Sequence, residues 1–208
     1  MLQKTLRKAI KVIQSKNNKK LTIIAAGHSA SVVLTLKDKY IRDIKQIVLI
    51  APTWKGPLPS MTGWSPKRLN IINKIIRLPI IGPILYFINT TKVIIKFMMK
   101  RHVWLNKNNL DKDRILRLQV LARQKGARYA SAAFVTGCLD IHKNNKWKIS
   151  NTKRVNKIST IVIPTDAPRK SLSEMEVLSN RIKNVLYVRG RLGCHEEFGG
   201  EIAKNLFY

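Results

Sequence analysis

Two continuous apolar runs rich in β-branched residues follow an amphipathic segment at the start of the chain. Leucines and isoleucines at helical spacing predict a first helix over residues 2–15. The runs at 20–26 (KLTIIAA) and 44–52 (IKQIVLIAP) are typical of strands buried on both faces of a parallel sheet. A helix is predicted between them, over 29–40. Strand, helix and strand in this order form a βαβ unit, which assigns the chain to the α/β class.

The pattern changes to a long helical stretch in the middle of the chain. A loop rich in Pro, Gly and Trp is followed by four segments of helical periodicity, at 67–76, 79–89, 91–101 and 111–125. We interpret residues 53–135 as a helical cap inserted into a single domain that spans residues 1–208. The longest apolar run, at 78–88, contains two prolines and is too short to cross a bilayer, so no transmembrane segment is predicted.

The last third of the chain returns to alternating strands and helices. Strands are predicted at 158–164 and 184–190, a helix capped by Ser171 or Ser173 lies between them, and a helix at 195–207 closes the chain. The expected fold is therefore a short, mostly parallel sheet of about four strands flanked by helices.

The charge of the chain is far from balanced. Among 208 residues, 40 Lys and Arg oppose 11 Asp and Glu, giving a net charge of +29. Such a field attracts nucleic acid, anionic lipid or acidic partners, whereas a general excess of Lys, Asn and Ile would give the same value without a function. No nucleic-acid recognition motif accompanies the charge, so nucleic-acid binding is the less favoured interpretation.

Cysteines and histidines are few and scattered. The two cysteines, Cys138 and Cys194, are far apart and lack metal-ligand spacing, which argues against a disulfide scaffold or a zinc ribbon. His102 and His142 have no accompanying carboxylate cluster. We therefore predict neither a metal nor a cofactor.

One short motif indicates covalent chemistry. Gly27-His28-Ser29-Ala30-Ser31 lies between a predicted strand and a predicted helix. A catalytic serine is often presented on such a turn within G-x-S-x-G, because small residues two positions away relieve crowding. Ser31 replaces the second glycine and is still small. Ser29 is thus either a nucleophile on a sharp turn, with the Ala30 N–H as an oxyanion donor, or an ordinary serine where a strand becomes a helix.

Two further residues follow later strands in the order that a triad needs. Asp166 comes directly after the strand at 158–164, and His195 follows the strand at 184–190. As a triad, His195 would take the proton of Ser29 and Asp166 would orient the imidazole. Taken singly, Asp166 is better explained as a turn residue and His195 as a loop residue that caps the last helix, whereas the three matches together favour the triad.

Several blocks of sequence resemble a known family. GHSAS at 27–31, APTWKGPLPSM at 51–61, PTDAPRKSLSEMEVL at 164–178 and GCHEEF at 193–198 are similar, in this order, to the largely uncharacterised α/β-hydrolase proteins of cyanobacteria and plastids. This resemblance implies an α/β-hydrolase fold with a helical cap and a plastid location, soluble or peripheral to a membrane. It further implies Ser29 as nucleophile, His195 as base and Asp166 as acid, with Asp140 as the reserve acid.

The chain departs from that family at its start. An α/β-hydrolase has about four strands before its nucleophile, whereas only the helix at 2–15 precedes the first strand here. We therefore expect an incomplete fold that lacks the loop giving the second oxyanion hydrogen bond and that leaves the strand at 20–26 as an edge of the sheet.

Three functional hypotheses follow. The first is a serine hydrolase acting on a small, hydrophobic ester or thioester through Ser29, Asp166 and His195. The second is a catalytically inactive or truncated protein of the same fold, and the third is a basic nucleic-acid-binding protein. The apolar, lysine-bearing segment at 79–101 is open to three interpretations: a helix packed on the core, a lid over substrate, or a surface lying on an anionic membrane.

Overall fold

The computed structural model describes residues 2–16, 20–142 and 152–208. The chain forms two compact units, the first built from Met1–Trp54 and Ile141–Tyr208 and the second from Lys55–Asp140. The helices are α1 (Leu2–Lys16), α2 (His28–Val33), α3 (Asp38–Ile41), α4 (Pro57–Thr62), α5 (Pro66–Arg77), α6 (Ile81–Asn89), α7 (Lys92–Met98), α8 (Lys112–Ala122), α9 (Ala127–Val135), α10 (Thr152–Ile158), α11 (Arg169–Ser179), α12 (Cys194–Glu197) and α13 (Gly199–Phe207).

The first unit is built around a parallel sheet. Its strands are β1 (Leu21–Ala26), β2 (Ile44–Ile50), β3 (Ser159–Pro164) and β4 (Asn184–Val188). They lie in the order β1-β2-β3-β4, and every neighbouring pair is parallel. The predicted α/β class with a short parallel sheet and flanking helices is confirmed.

The core of this unit lies on the two central strands. Ile47–Ile50 of β2 and Ile161–Pro164 of β3 are buried, and α11 packs against β3 with Met175 and Leu178 fully buried. β-Branched residues suit this setting because their stiff side chains pack well on a pleated surface. Each fully buried side chain of this size contributes about 1.5–3 kcal/mol.

Strand β1 differs from the prediction of a strand buried on both faces. Ala25 is its only buried residue, and the Ile24 side chain is 58% exposed. β1 lies at the edge of the sheet, with β2 as its one neighbour among the described strands. An apolar run cannot by itself distinguish a central strand from an edge strand.

Three helix predictions need correction. The segment 195–207 forms the end of α12 and the whole of α13, with Phe198 between them, instead of one helix. The segment 29–40 forms two short helices, α2 and α3, instead of one. Helix α11 begins at Arg169, directly after Pro168, so the predicted caps Ser171 and Ser173 lie inside it. The proline ring fixes φ of residue 168 at −55°, close to a helical value, and this favours the earlier start.

The second unit is helical. A π-helical turn at Met99–Val103 follows α7, and a small core forms around Trp104, Leu110 and Ile115. The end of α6 is attached to α8, because Gln119 Nε2 donates to the Thr90 carbonyl at 2.8 Å. Across the described ranges no single helix is long and apolar enough to cross a membrane. Taken together, α5 and α6 have the length and composition of a membrane span, but the two helices are bent by 100° relative to each other.

Candidate functional site

The three predicted catalytic residues all lie beyond the carboxyl ends of strands, at what we call the carboxyl edge of the sheet. The register aligns the strand ends, pairing Ala26 with Ile50, Ile50 with Val162, and Val162 with Leu186. Ser29 follows β1, Asp166 follows β3 and His195 lies beyond β4, so all three come after the carboxyl ends of parallel strands. In open α/β sheets ligands bind outside this edge.

The strand order separates Ser29 from the other two residues. β1 and β4 are the outermost strands, three inter-strand spacings apart, which corresponds to about 14 Å. β3 and β4 are neighbours. A Ser29–His195 hydrogen bond therefore needs the segment after β4 to extend back across the sheet, whereas Asp166 and His195 start from adjacent strands.

The sharp turn after β1 is centred on Gly27. Its backbone has φ 55° and ψ −126°, and residues 28–33 are already helical. The Gly27 N–H donates to the Ile50 carbonyl at 2.9 Å, and the Gly27 carbonyl accepts from the Thr53 N–H at 3.2 Å. Because a positive φ is readily available only to glycine, the strain of this turn falls on a residue without a side chain. The sequence interpretation placed the apex at Ser29; it lies two residues earlier.

Ser29 is an exposed residue in the first turn of α2. Its hydroxyl donates to the Ala26 carbonyl at 2.7 Å, so its proton is engaged by the end of β1. The backbone N–H of Ala30, the predicted oxyanion donor, donates to the Gly27 carbonyl at 3.3 Å. Both groups are thus engaged within the turn that joins β1 to α2.

Asp166 is attached to the end of β4 by a reciprocal pair of backbone contacts. Its Oδ2 accepts from the Gly190 N–H at 3.1 Å, and its own N–H donates to the Gly190 carbonyl at 2.9 Å. The Thr165 hydroxyl also donates to Oδ2, at 3.0 Å. The Gly190 hydrogen bond is the main cause of a lowered pKa of Asp166; burial opposes it, and Thr165, Arg189 and Arg191 lower the pKa by smaller amounts.

His195 lies on the four-residue helix α12 and is partly exposed. Its Nδ1 is buried and accepts or donates no hydrogen bond within the described residues. Its Nε2 lies 3.9 Å from Glu196 Oε1, too far for a hydrogen bond. In the part of the chain that the structure describes, therefore, Asp166 and His195 are not hydrogen-bonded, and a joined triad is not formed.

The neighbouring Cys194 is a free cysteine whose side chain is fully buried. Burial raises the pKa of its thiol to about 11, so the thiol is protonated at neutral pH. Asp140, the reserve acid, ends the second unit, and its N–H donates to the Gly137 carbonyl at 3.0 Å.

Two buried polar residues near this edge were not identified from the sequence. The His142 side chain is fully buried, and its Nε2 lies 2.9 Å from the Ser31 carbonyl, so the ring donates to helix α2. Glu174 is 5% exposed, and its Oε2 accepts from the Trp54 N–H at 3.4 Å. Both partners are more than 100 residues away along the chain. No local pattern could therefore have revealed them.

The described residues offer no metal site at this edge. Among the described residues, no group of three or more His, Cys, Asp and Glu side chains could hold a metal ion. Two surface cavities, of about 280 and 320 Å³, lie elsewhere. The first is lined by Lys153, Asn156, Lys157, Lys183 and Asn184, and the second by Lys92, Val93, Lys96, Leu110, Asp111, Lys112 and Ile115.

Comparison with known proteins identifies the fold. No protein-family model and no curated protein matches the sequence, so the resemblance to cyanobacterial and plastid proteins, with the plastid location, stays a prediction. Among solved structures, Cfl2 from Burkholderia cenocepacia is similar with a TM-score of 0.61 and 12% identity, over 99% of this chain and 70% of that one. A thermophilic esterase is similar with a TM-score of 0.60 and 11% identity, over 99% of this chain and 71% of the esterase chain. MGS-M2, an α/β-hydrolase enzyme from a Medee basin deep-sea metagenome library, is similar with a TM-score of 0.54 and 12% identity, over 94% of this chain and 68% of the MGS-M2 chain. The chain therefore has the α/β-hydrolase fold.

Proposed function

We propose that this chain is a small-molecule-binding protein that has the fold of a serine hydrolase but forms no acyl-enzyme. The observation that supports the proposal is Gly27, which holds the strained turn between β1 and α2 where a nucleophile would stand. A glycine offers no group that could attack a carbonyl. The bound compound would lie at the carboxyl edge of the sheet, as ligands do in open α/β folds.

The hydrogen bonds around the turn support the same proposal. Nucleophilic catalysis needs a hydroxyl bonded to a base, and the base bonded to an orienting acid. The Ser29 hydroxyl donates instead to Ala26, and the Asp166 carboxylate accepts from Gly190 and Thr165. An oxyanion would also have to displace the Gly27 carbonyl from the Ala30 N–H.

A second candidate is hydrolysis of a hydrophobic ester or thioester through Ser29, Asp166 and His195. Its support is the order of the three residues after β1, β3 and β4, together with an exposed Ser29 and a His195 Nδ1 that has no partner within the described residues. The Ser29 oxygen would attack the carbonyl carbon while His195 takes its proton and later returns it to the leaving group. The Asp166 carboxylate, which is charged at neutral pH, would orient the imidazole.

A paired binding and turnover assay separates the two candidates. Wild-type protein and Ser29→Ala are heated with and without p-nitrophenyl esters and acyl thioesters of increasing chain length, and product release is followed in parallel. The binding proposal predicts the same rise in melting temperature for both proteins and no product. Product release that Ser29→Ala abolishes would establish the second candidate. If no compound raises the melting temperature and none is hydrolysed, the binding proposal is wrong.

A further inference from the structure

The second unit exposes many apolar side chains on three consecutive helices and at the junction of the first two. α5 packs against α6, and α6 packs against α7. Their exposed apolar residues, together called the α5–α7 surface, have side chains that are 38–78% exposed: Ile71, Ile75, Leu78, Ile80, Ile81, Ile84, Leu85, Phe87, Ile88, Val93 and Phe97. Exposed apolar clusters of this extent mark interaction surfaces in soluble domains.

Helix α6 is the centre of this surface. Its sequence, IGPILYFIN, is apolar on every side, and a helix of that kind is normally buried. Yet Gly82 is its only buried residue, and Ile84 and Phe87 are 56% and 59% exposed. The sequence interpretation that this segment packs its apolar side on the core is therefore wrong for α6.

Within the sequence segment that carries this surface all charges have one sign, whereas Asp111, directly after it, lines a cavity together with Lys92, Val93 and Lys96. No Asp or Glu occurs between Asp43 and Asp111. The same segment supplies cations on and beside the three helices, at Lys67, Arg68, Lys74, Arg77, Lys92, Lys96, Lys100 and Arg101. Arg123 adds a guanidinium 4.1 Å from the centre of the Phe87 ring. Apolar side chains thus alternate with cations, with no anion in this part of the sequence.

We propose that the α5–α7 surface docks on an anionic lipid bilayer and lies within its headgroup region. Amphipathic segments bind there by placing apolar side chains at the acyl boundary while Lys and Arg contact lipid phosphates. The 100° bend between α5 and α6 is compatible with a surface-lying or re-entrant arrangement and not with a straight span. A second copy of the chain is the less suitable occupant, because it would bring the same cations and another +29 charges against this face.

A site-specific environmental probe tests the insertion. In a Cys138→Ser background, which leaves the buried Cys194 as the other cysteine, Ile84→Cys is labelled with the dye NBD. Tyr187→Cys is the matched control, because Tyr187 is 62% exposed on β4 in the other unit. When vesicles of phosphatidylcholine and phosphatidylserine are added, we expect the emission of the dye at position 84 to become stronger and shift to the blue, and the emission at position 187 to stay unchanged. An equal response at both positions, or none at either, would overturn the proposal.

A charge-reversal pair separates docking of this surface from general attraction by a basic protein. Lys92→Glu/Lys96→Glu and Lys157→Glu/Lys183→Glu change the net charge by the same amount. Each cation at the membrane strengthens binding about fivefold, so the first pair should weaken vesicle partitioning at physiological salt by about 25-fold or more. The second pair belongs to the other unit and is not part of the α5–α7 surface, so it should weaken partitioning by less than about threefold. Equal weakening by both pairs, or a dimer in sedimentation that Phe87→Ser dissolves, would contradict lipid docking.

Discussion

The Asp166 carboxylate accepts a hydrogen bond from the Gly190 N–H at 3.1 Å, and the Asp166 N–H donates to the Gly190 carbonyl at 2.9 Å. This reciprocal pair joins the turn after β3 to the loop after β4. It also occupies Asp166 Oδ2, the oxygen that the Thr165 hydroxyl contacts as well. The predicted acid therefore acts in the structure as a tie between two loops.

The tie between Asp166 and Gly190 should make stability depend on acid pH. The pKa of Asp166 is lower in the folded chain than its ordinary value of 3.8, chiefly because of the Gly190 N–H. A lowered folded pKa contributes stability above the unfolded pKa and loses it as the pH falls through the folded pKa. We expect wild type to exceed Asp166→Asn in free energy of unfolding near pH 7 and the difference to shrink below about pH 4. Denaturant titrations check this; a difference that grows in acid would contradict it.

Gly190 should resist replacement. Its φ is 131°, and a Cβ built there would lie 2.9 Å from Cys194 Cβ and 3.1 Å from the Phe198 ring. Gly190→Ala should therefore lower the free energy of unfolding by about 2 kcal/mol or more, from backbone strain and overpacking together. Gly200→Ala is the matched control, since a Cβ there meets nothing within 4 Å and the position is helical. Alanine at 200 should be neutral or slightly stabilising, and equal losses at both positions would be inconsistent with the described loop.

Glu174 should contribute more to stability than its neighbour on the same helix. Its buried carboxylate accepts from the Trp54 N–H, which holds the segment after β2. Removing an acceptor from a buried N–H costs about 1–3 kcal/mol, so Glu174→Ala should lower the free energy of unfolding by that amount. Glu176→Ala, at an exposed position of α11, should change it by less than about 0.5 kcal/mol. Chemical denaturation of both variants makes the comparison.

Replacement of Gly27 should be limited by its backbone conformation and not by steric contact with neighbouring atoms. A Cβ at position 27 would meet nothing within 4 Å, while φ is 55°. Gly27→Ala is therefore expected to cost about 1–2 kcal/mol of stability through the unfavourable φ alone. Gly27→Ser should cost a similar amount, because the hydroxyl extends into the same open space. A loss well above that of alanine would mean that the turn is crowded.

The strands were predictable because the apolar patterns that form them are local. Runs such as IKQIVLI and STIVIP are long enough, apolar enough and rich enough in β-branched residues to form buried strands wherever they pair. The run at 20–26 by itself predicted burial on both faces, whereas Ile24 is exposed and β1 lies at the edge of the sheet. That position depends on pairing, which the run itself does not encode.

The apex of the turn after β1 was ambiguous in the sequence. Small residues occupy positions 25, 27, 29 and 31, so Ala25-Ala26-Gly27-His28-Ser29 fits the required spacing as well as the segment centred on Ser29. The two alternatives differ by a shift of two residues along the chain. Because side chains alternate with a period of two in a strand, such a shift leaves the same β1 side chains on the same face of the sheet. The backbone decides between them, because glycine accepts a positive φ at the least cost.

Covalent labelling tests the account most directly. Wild type and Ser29→Ala are incubated with a fluorophosphonate probe, beside an active serine hydrolase as a positive control, and intact masses are measured. With Gly27 at the apex and the Ser29 hydroxyl bound to Ala26, both proteins should keep their unmodified mass. A wild-type adduct that maps to Ser29 and is absent from Ser29→Ala would contradict the account.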